Sequence, residues 1–119
     1  MKKTYRLVEK DKYGNLKTLF YGINKSRILP INKWIKADIK LVSEGVAGKK
    51  YLSGFHSLGT LEECLRYSKK FKRKENRYVI PIKIKNIRMK EHSTSTVYLS
   101  EYMKIEEPFE LTPLSTTLG

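Results

Sequence analysis

The stretch of sequence that decides the fold is YLSGFHSLGTLEECLRY, residues 51–67. It reads as a short strand, a turn punctuated by glycine and a capped helix. Thr60 stands at the N-cap position and Glu63, three residues later, completes a capping box, in which each side chain accepts a hydrogen bond from an otherwise unpaired backbone N–H. Because apolar residues recur at helical spacing after Thr60, we expect one helix over about residues 60–72.

Strand patterns lie on both sides of this stretch. Residues 4–9 alternate in polarity and residues 16–21 are rich in strand formers, with a hairpin loop at residues 11–15 between them. After the helix, isoleucines alternate with other residues along 78–85, where Pro81 indicates an edge strand or a bulge. We therefore predict an α+β fold with a curved, mostly antiparallel sheet of five to seven strands and one principal helix.

The chain has 119 residues, the length of one ordinary domain. We assign residues 1–106 to a single compact α+β domain. Residues 107–119 differ in character, because they are acidic and rich in Pro, Ser and Thr whereas the body is basic. We expect this tail to be flexible or docked on the basic surface.

The formal net charge is +13, from 25 Lys and Arg against 12 Asp and Glu. A charge of this size attracts anions, so the expected partner is anionic, although solubility and a lysine-rich composition are an alternative explanation. Cys64 is the single cysteine, which excludes a disulfide framework and a cysteine-based zinc site. The basic N-terminus leads into an alternating strand and no apolar run reaches membrane length, so we expect a cytoplasmic protein without a membrane partner.

Five residues are candidates for ligand binding. Arginine forks bind phosphate bidentately, and three arginines lie near predicted element ends or strands. A histidine beside a glycine at a strand end can reach a pocket, or can equally cap the following loop. A tryptophan flanked by lysines can stack on a base, although tryptophan is more often part of a core. The candidates are Arg6, Arg27, Trp34, His56 and Arg88.

We identify no catalytic constellation, no metal site and no cofactor motif in the sequence. His56 and His92 are too few ligands for a protein metal site. Binding is therefore favoured over turnover, and a pocket completed by a second subunit of a homo-oligomer would suit it.

The sequence resembles a group of short phage-encoded proteins of unassigned function, over residues 4–106. The runs that carry this resemblance are TYRLV (4–8), LF (19–20), RILP (27–30), KWIKA (33–37), GFH (54–56), the strand that ends at Ile84, residues 93–99 and MKI (103–105). The helix after His56 and the tail after Glu106 depart from that pattern. The resemblance implies a phage origin, and hence the cytoplasm of a host cell.

A weaker resemblance is to ADP-ribosyltransferase-like folds, in which a strand similar to GFH precedes a helix start similar to TLE. It implies a catalytic acid on a late strand, for which Glu101 is the candidate, with Tyr5, Arg6 or His56 binding the dinucleotide.

These observations lead to one functional hypothesis with three alternatives. The leading hypothesis is a non-enzymatic phage protein that binds an anionic nucleotide-type ligand and sequesters a host immune nucleotide signal as a counter-defence. The alternatives are a nucleic-acid-binding protein, an ADP-ribosyltransferase-like enzyme and an inhibitor of a host protein.

Overall fold

A computed structural model describes residues 1–19, 28–44, 49–90 and 96–114. Over these residues the chain forms nine strands and one helix. In order they are β1 (Lys2–Lys10), β2 (Leu16–Lys17), β3 (Ile35–Lys36), β4 (Leu41–Glu44), β5 (Lys49–Leu52), β6 (Phe55–Leu58), α1 (Leu61–Ser68), β7 (Arg77–Met89), β8 (Val97–Lys104) and β9 (Thr112–Pro113). The α+β class predicted from the sequence is confirmed.

Seven of these strands form one sheet, in the order β2-β1-β6-β8-β7-β9, with β3 paired to β8. Because β1 also pairs with β7, the path β1-β6-β8-β7 returns to its start and the sheet curves into a closed ring. All ladders between the named strands of this sheet are antiparallel. Strands β4 and β5 form a separate hairpin. The predicted curved, mostly antiparallel sheet is therefore confirmed.

The two faces of the β1–β7 ladder are buried in different clusters. Ile80, Ile82 and Ile84 of β7 lie in the larger core. Leu7 of β1 and Val79 of β7 stand opposite each other and lie in a smaller cluster with Cys64 of α1. This is the period of two that a strand imposes, and it places the helix on the side of the ladder opposite the larger core.

The helix begins where the capping box predicts. The Thr60 hydroxyl accepts a hydrogen bond from the Glu63 backbone N–H at 3.1 Å and lies 3.3 Å from a Glu63 carboxylate oxygen. The predicted end at residue 72 is wrong, because the helix ends at Ser68 with Lys69 as C-cap. Phe71 explains the error, because it lies beyond the helix yet still packs on the smaller cluster. Its ring centroid lies 5.9 Å from that of Tyr67.

Residues 106–114 follow β8 and lie against the body of the domain. Phe109 and Leu111 pack on the larger core. Thr112 and Pro113 form β9 against the start of β7, and the Leu114 N–H donates to the Arg77 carbonyl at 3.0 Å. This segment therefore contributes one edge strand of the sheet.

Thr60→Ala should lower the free energy of unfolding by about 1 kcal/mol, because it removes the acceptor for an N-terminal helix N–H. Ser57→Ala is the matched control. The Ser57 hydroxyl is buried and has no hydrogen-bond partner among the described residues, so its removal should cost little or should stabilise the fold. Urea denaturation of both variants checks this, and equal losses would contradict the assigned helix start.

Candidate functional site

Trp34 immediately precedes the short strand β3, and the alternation of this strand fixes the side of the sheet on which the Trp34 side chain lies. Ile35 packs against the larger core and Ala37 is buried in it, so Trp34 and Lys36, which alternate with them, face away from the core. Trp34 is half-buried, and the Lys85 ammonium of β7 lies 3.9 Å from its ring centroid. The Lys104 ammonium of β8 lies 6.0 Å from the same ring. Both distances are those of cation–π contacts.

Cross-strand pairing gathers further residues around Trp34. Lys85 and Lys36 each stand opposite Tyr102, and Lys83 stands opposite Lys104. Directly opposed residues of antiparallel strands point to the same face of the sheet. The six residues of this surface, here named the Trp34 face, are Trp34, Lys36, Lys83, Lys85, Tyr102 and Lys104.

The lysines of the Trp34 face differ in their partners. Lys36 lies 3.6 Å from Glu101, and Lys83 and Lys104 both contact Glu106. Lys85 contacts the Trp34 and Tyr102 rings and has no carboxylate partner among the described residues. The face therefore combines two aromatic rings with an ammonium that pairs with no acidic side chain of the described ranges.

Arg6 of β1 is held inside the fold. Its Nη1 donates to the His56 carbonyl at 2.7 Å, and its guanidinium lies 5.6 Å from the Phe55 ring centroid. Desolvation by burial lowers the pKa of Arg6 to about 10, so the group remains charged at neutral pH. Since β1 and β6 share a single register pair, Tyr5 with Leu58, this hydrogen bond supplements a short ladder.

Arg88 near the end of β7 holds the segment that follows β5. Its guanidinium donates to the Leu52 carbonyl at 3.2 Å and to the Ser53 carbonyl at 2.6 Å. Gly54 lies under this contact, because a Cβ there would stand 3.0 Å from the Ser100 carbonyl oxygen and 3.3 Å from the guanidinium. Arg88 thus connects the β4–β5 hairpin to the main sheet.

His56, a further candidate, stands apart from Trp34 in the pairing scheme. His56 lies half-buried on β6 opposite Leu99, and its carbonyl accepts the hydrogen bond from Arg6. Arg27 lies outside the described residues, as does His92. Of the five predicted residues, Arg6 and His56 are joined by a hydrogen bond, whereas Trp34 and Arg88 lie in different surroundings.

Two adjoining grooves run beside the C-terminal segment. The first, of about 480 Å³, is lined by residues that include Lys3, Tyr5 and Phe109. The second, of about 240 Å³, shares Lys3 with the first and extends to Lys83 and Lys104. The second groove therefore joins the first to the lysine pair of the Trp34 face.

Other features of the described residues limit the chemistry. Cys64 is buried, and burial raises the pKa of its thiol to about 12, opposed in part by the Arg6 charge. A thiol with this pKa is protonated at neutral pH and is a poor nucleophile.

Within the described ranges, no group of three or more His, Cys, Asp or Glu side chains could hold a metal ion. The part of the chain that the structure describes contains no helix long and apolar enough to cross a membrane.

The sequence interpretation missed most of the Trp34 face. Lys83 and Lys85 were visible as the polar partners of alternating isoleucines, and Tyr102 and Lys104 have the same spacing in β8. That spacing shows that each pair shares a face, but it does not show that the two strands are neighbours. Trp34 was therefore identified without the residues that surround it.

Comparisons of the chain with protein-family models, with curated proteins and with solved structures each gave no match. The function is accordingly argued from the geometry and charge of the described surface.

Arg88→Ala should destabilise the protein by about 1 to 2 kcal/mol, because the part-buried Ser53 carbonyl and the exposed Leu52 carbonyl lose a charged donor. Amide hydrogen exchange should rise in residues 49–53 more than in β1. Arg88→Lys is the matched control, since it keeps the charge but cannot donate in the same fork to both carbonyls. Unchanged exchange in the hairpin would contradict this assignment.

Cys64 should make stability depend on pH in alkaline solution. Its pKa is near 9 ordinarily and about 12 in the fold, so the unfolded state loses this proton first and stability falls as pH rises above 9. Arg6, whose pKa is lowered to about 10, acts in the opposite direction above pH 10. The stability difference between wild type and Cys64→Ala should be constant from pH 6 to 8 and should shrink from pH 9 to 10 in urea denaturation. A constant difference through pH 10 would contradict a raised pKa.

Proposed function

We propose that this protein binds anionic nucleotide-type ligands without catalysis, and that its ligand is a single strand of nucleic acid held on the Trp34 face. The observation that carries the proposal is the contact of Lys85 with Trp34 at 3.9 Å, next to Tyr102 and among three further lysines. Aromatic rings that stack on bases and ammonium groups that pair with phosphates are the two components of single-strand binding surfaces.

The shape of the face supports a strand over a duplex. Neighbouring strands lie about 4.8 Å apart, so β3, β8 and β7 together present a surface about 10 Å wide. Trp34 and Tyr102 are half-buried on this surface, and their rings can stack only on bases that are not already stacked within a helix. A single strand offers such bases, whereas a duplex hides them.

The charge of the chain supports the same ligand. A net charge of +13 raises the rate of encounter with any polyanion. Stacking adds about 1 to 3 kcal/mol per base and tolerates every base, because each has a π-face. The expected binding is therefore weakly dependent on sequence and strongly dependent on salt.

The enzyme alternative receives less support from its candidate acid. Glu101 accepts a hydrogen bond from the Asn86 amide at 3.3 Å and lies 3.6 Å from the Lys36 ammonium. Both contacts are of the kind that fix a structural carboxylate. The residue nonetheless gives a direct test, since Glu101→Gln should leave single-strand binding largely intact.

A second candidate function is capture of a mononucleotide or cyclic nucleotide, the counter-defence role of a phage protein that sequesters a host immune signal. The groove of about 480 Å³ favours it, because this volume suits a nucleotide and the lining includes Lys3, Tyr5 and Phe109. Lys3→Ala should weaken such a ligand more than Trp34→Ala does. The salt dependence should also be small, since one or two phosphates release few counterions.

Trp34→Ala should weaken binding to a 15-nucleotide oligo-dT by about tenfold or more, because it removes one stacking platform. Fluorescence anisotropy of a labelled oligonucleotide at several salt concentrations gives the affinities. Trp34 is also the single tryptophan of the chain, so its emission should be quenched when a base stacks on it.

Lys69→Ala is the control for charge alone, because Lys69 is an exposed residue at the helix end. It removes the same charge as Lys85→Ala, and neither variant should change the melting temperature much. Only Lys85→Ala should weaken binding several-fold. Equal effects of the two lysine variants, with no quenching of Trp34, would place binding elsewhere.

A further inference from the structure

Lys83 and Lys104 form an unusual pair on the Trp34 face. They stand directly opposite each other in the β7–β8 ladder, where two like charges repel. The Glu106 carboxylate contacts both: one oxygen pairs with Lys83, and the other lies 3.6 Å from the Lys104 ammonium. Lys83 and, to a smaller extent, Lys104 lower the pKa of Glu106, so the carboxylate is an anion at neutral pH.

We propose that Lys83 and Lys104 form a phosphate subsite and that Glu106 occupies it as an intramolecular competitor, which a backbone phosphate of the bound strand displaces. This inference rests on the proposed function for the identity of the ligand. A carboxylate bridging two ammonium groups presents the same charge and acceptor oxygens that a phosphate would present.

The position of the subsite suits a ligand that stacks on Trp34. Lys104 belongs to the phosphate subsite and also to the surroundings of Trp34, since its ammonium contacts Glu106 and lies 6.0 Å from the Trp34 ring. The groove of about 240 Å³ beside the pair includes Lys3, a third ammonium. A phosphate between Lys83 and Lys104 would therefore lie next to a base on Trp34 and at the entrance of the groove.

The Glu106 side chain can leave the two lysines, and a phosphate can replace it, without any opening of the core. The side chains of Lys83 and Glu106 are 42% and 39% exposed, which leaves the ion pair open to solvent and weak. The backbone beneath it is fixed, because Ile105 is buried and its carbonyl accepts the Asn32 N–H at 2.6 Å. Glu106 can thus move its side chain away while its Cα stays in place.

Glu106→Gln tests the inference, since it keeps the shape and removes the charge. It should bind the 15-nucleotide oligo-dT about five- to tenfold more tightly than wild type. The logarithmic salt slope should steepen by about 0.7, the value for one additional phosphate on a single strand. Inorganic pyrophosphate, a probe without a base, should protect Glu106→Gln from thermal unfolding more than it protects wild type.

Glu75→Gln is the matched control, because Glu75 is exposed in the turn before β7, whose first residue is about 20 Å along the strand from Lys83. It changes the net charge equally, and its affinities should match those of wild type. If Glu106→Gln and Glu75→Gln act alike on both probes, Glu106 is not a competitor.

The two probes separate the inference from the proposed function. Stronger pyrophosphate binding by Glu106→Gln, with no oligonucleotide binding by any variant, would keep the subsite and reject the nucleic-acid ligand. Oligonucleotide binding that depends on Trp34 but ignores Glu106, with no gain for pyrophosphate, would keep the proposed function and overturn the subsite.

Discussion

The structure depends on one ladder, the eight antiparallel pairs that join β1 to β7 from Lys2 with Ile84 to Glu9 with Arg77. Because strand residues alternate between faces, this single pairing sends the β7 isoleucines into the larger core and Leu7 with Val79 toward the helix. A shift of one residue would exchange the two faces, so both hydrophobic clusters enforce the same register. The helix, the ring closure through β6 and the C-terminal edge strand are all attached to this ladder.

The same ladder determines where the Trp34 face lies on the sheet. Strand β7 has thirteen residues, and its pairing with β1 ends at Ile84. Around and beyond that point β7 pairs with β8, which also pairs with β3 on part of its length, and the Trp34 face lies here. The helix packs beside Val79, and β9 pairs with Tyr78 and Val79, so both lie toward the other end of β7.

Local chemistry explains what the sequence could predict. The Thr60 cap and the glycine turn of the first hairpin depend on neighbours a few residues away, and Gly14 in that turn adopts a positive φ. The helix end could not be predicted in this way, because Phe71 keeps its apolar contact after the helix has stopped. The edge strand that Pro81 indicated could not be corrected from the sequence either. One side of β7 pairs with β1, and the other side pairs with β9 up to Val79 and with β8 from Lys83 onward. Pro81 lies between these two partners, so no ladder pair is needed at the proline on that side. Both outcomes depend on tertiary contacts.

The contrast between arginine and lysine in this structure has a physical basis. Arg6 and Arg88 both donate to backbone carbonyls of other strands or loops, a use that suits a planar group with several donors and weaker hydration. Lysine holds its water more tightly and gains less from such sites, so the lysines remain on the surface. Phosphate chemistry alone favoured arginine when only the sequence was considered. The demands of the fold compete for the same residue type, and the side chains that this competition leaves on the Trp34 face are lysines.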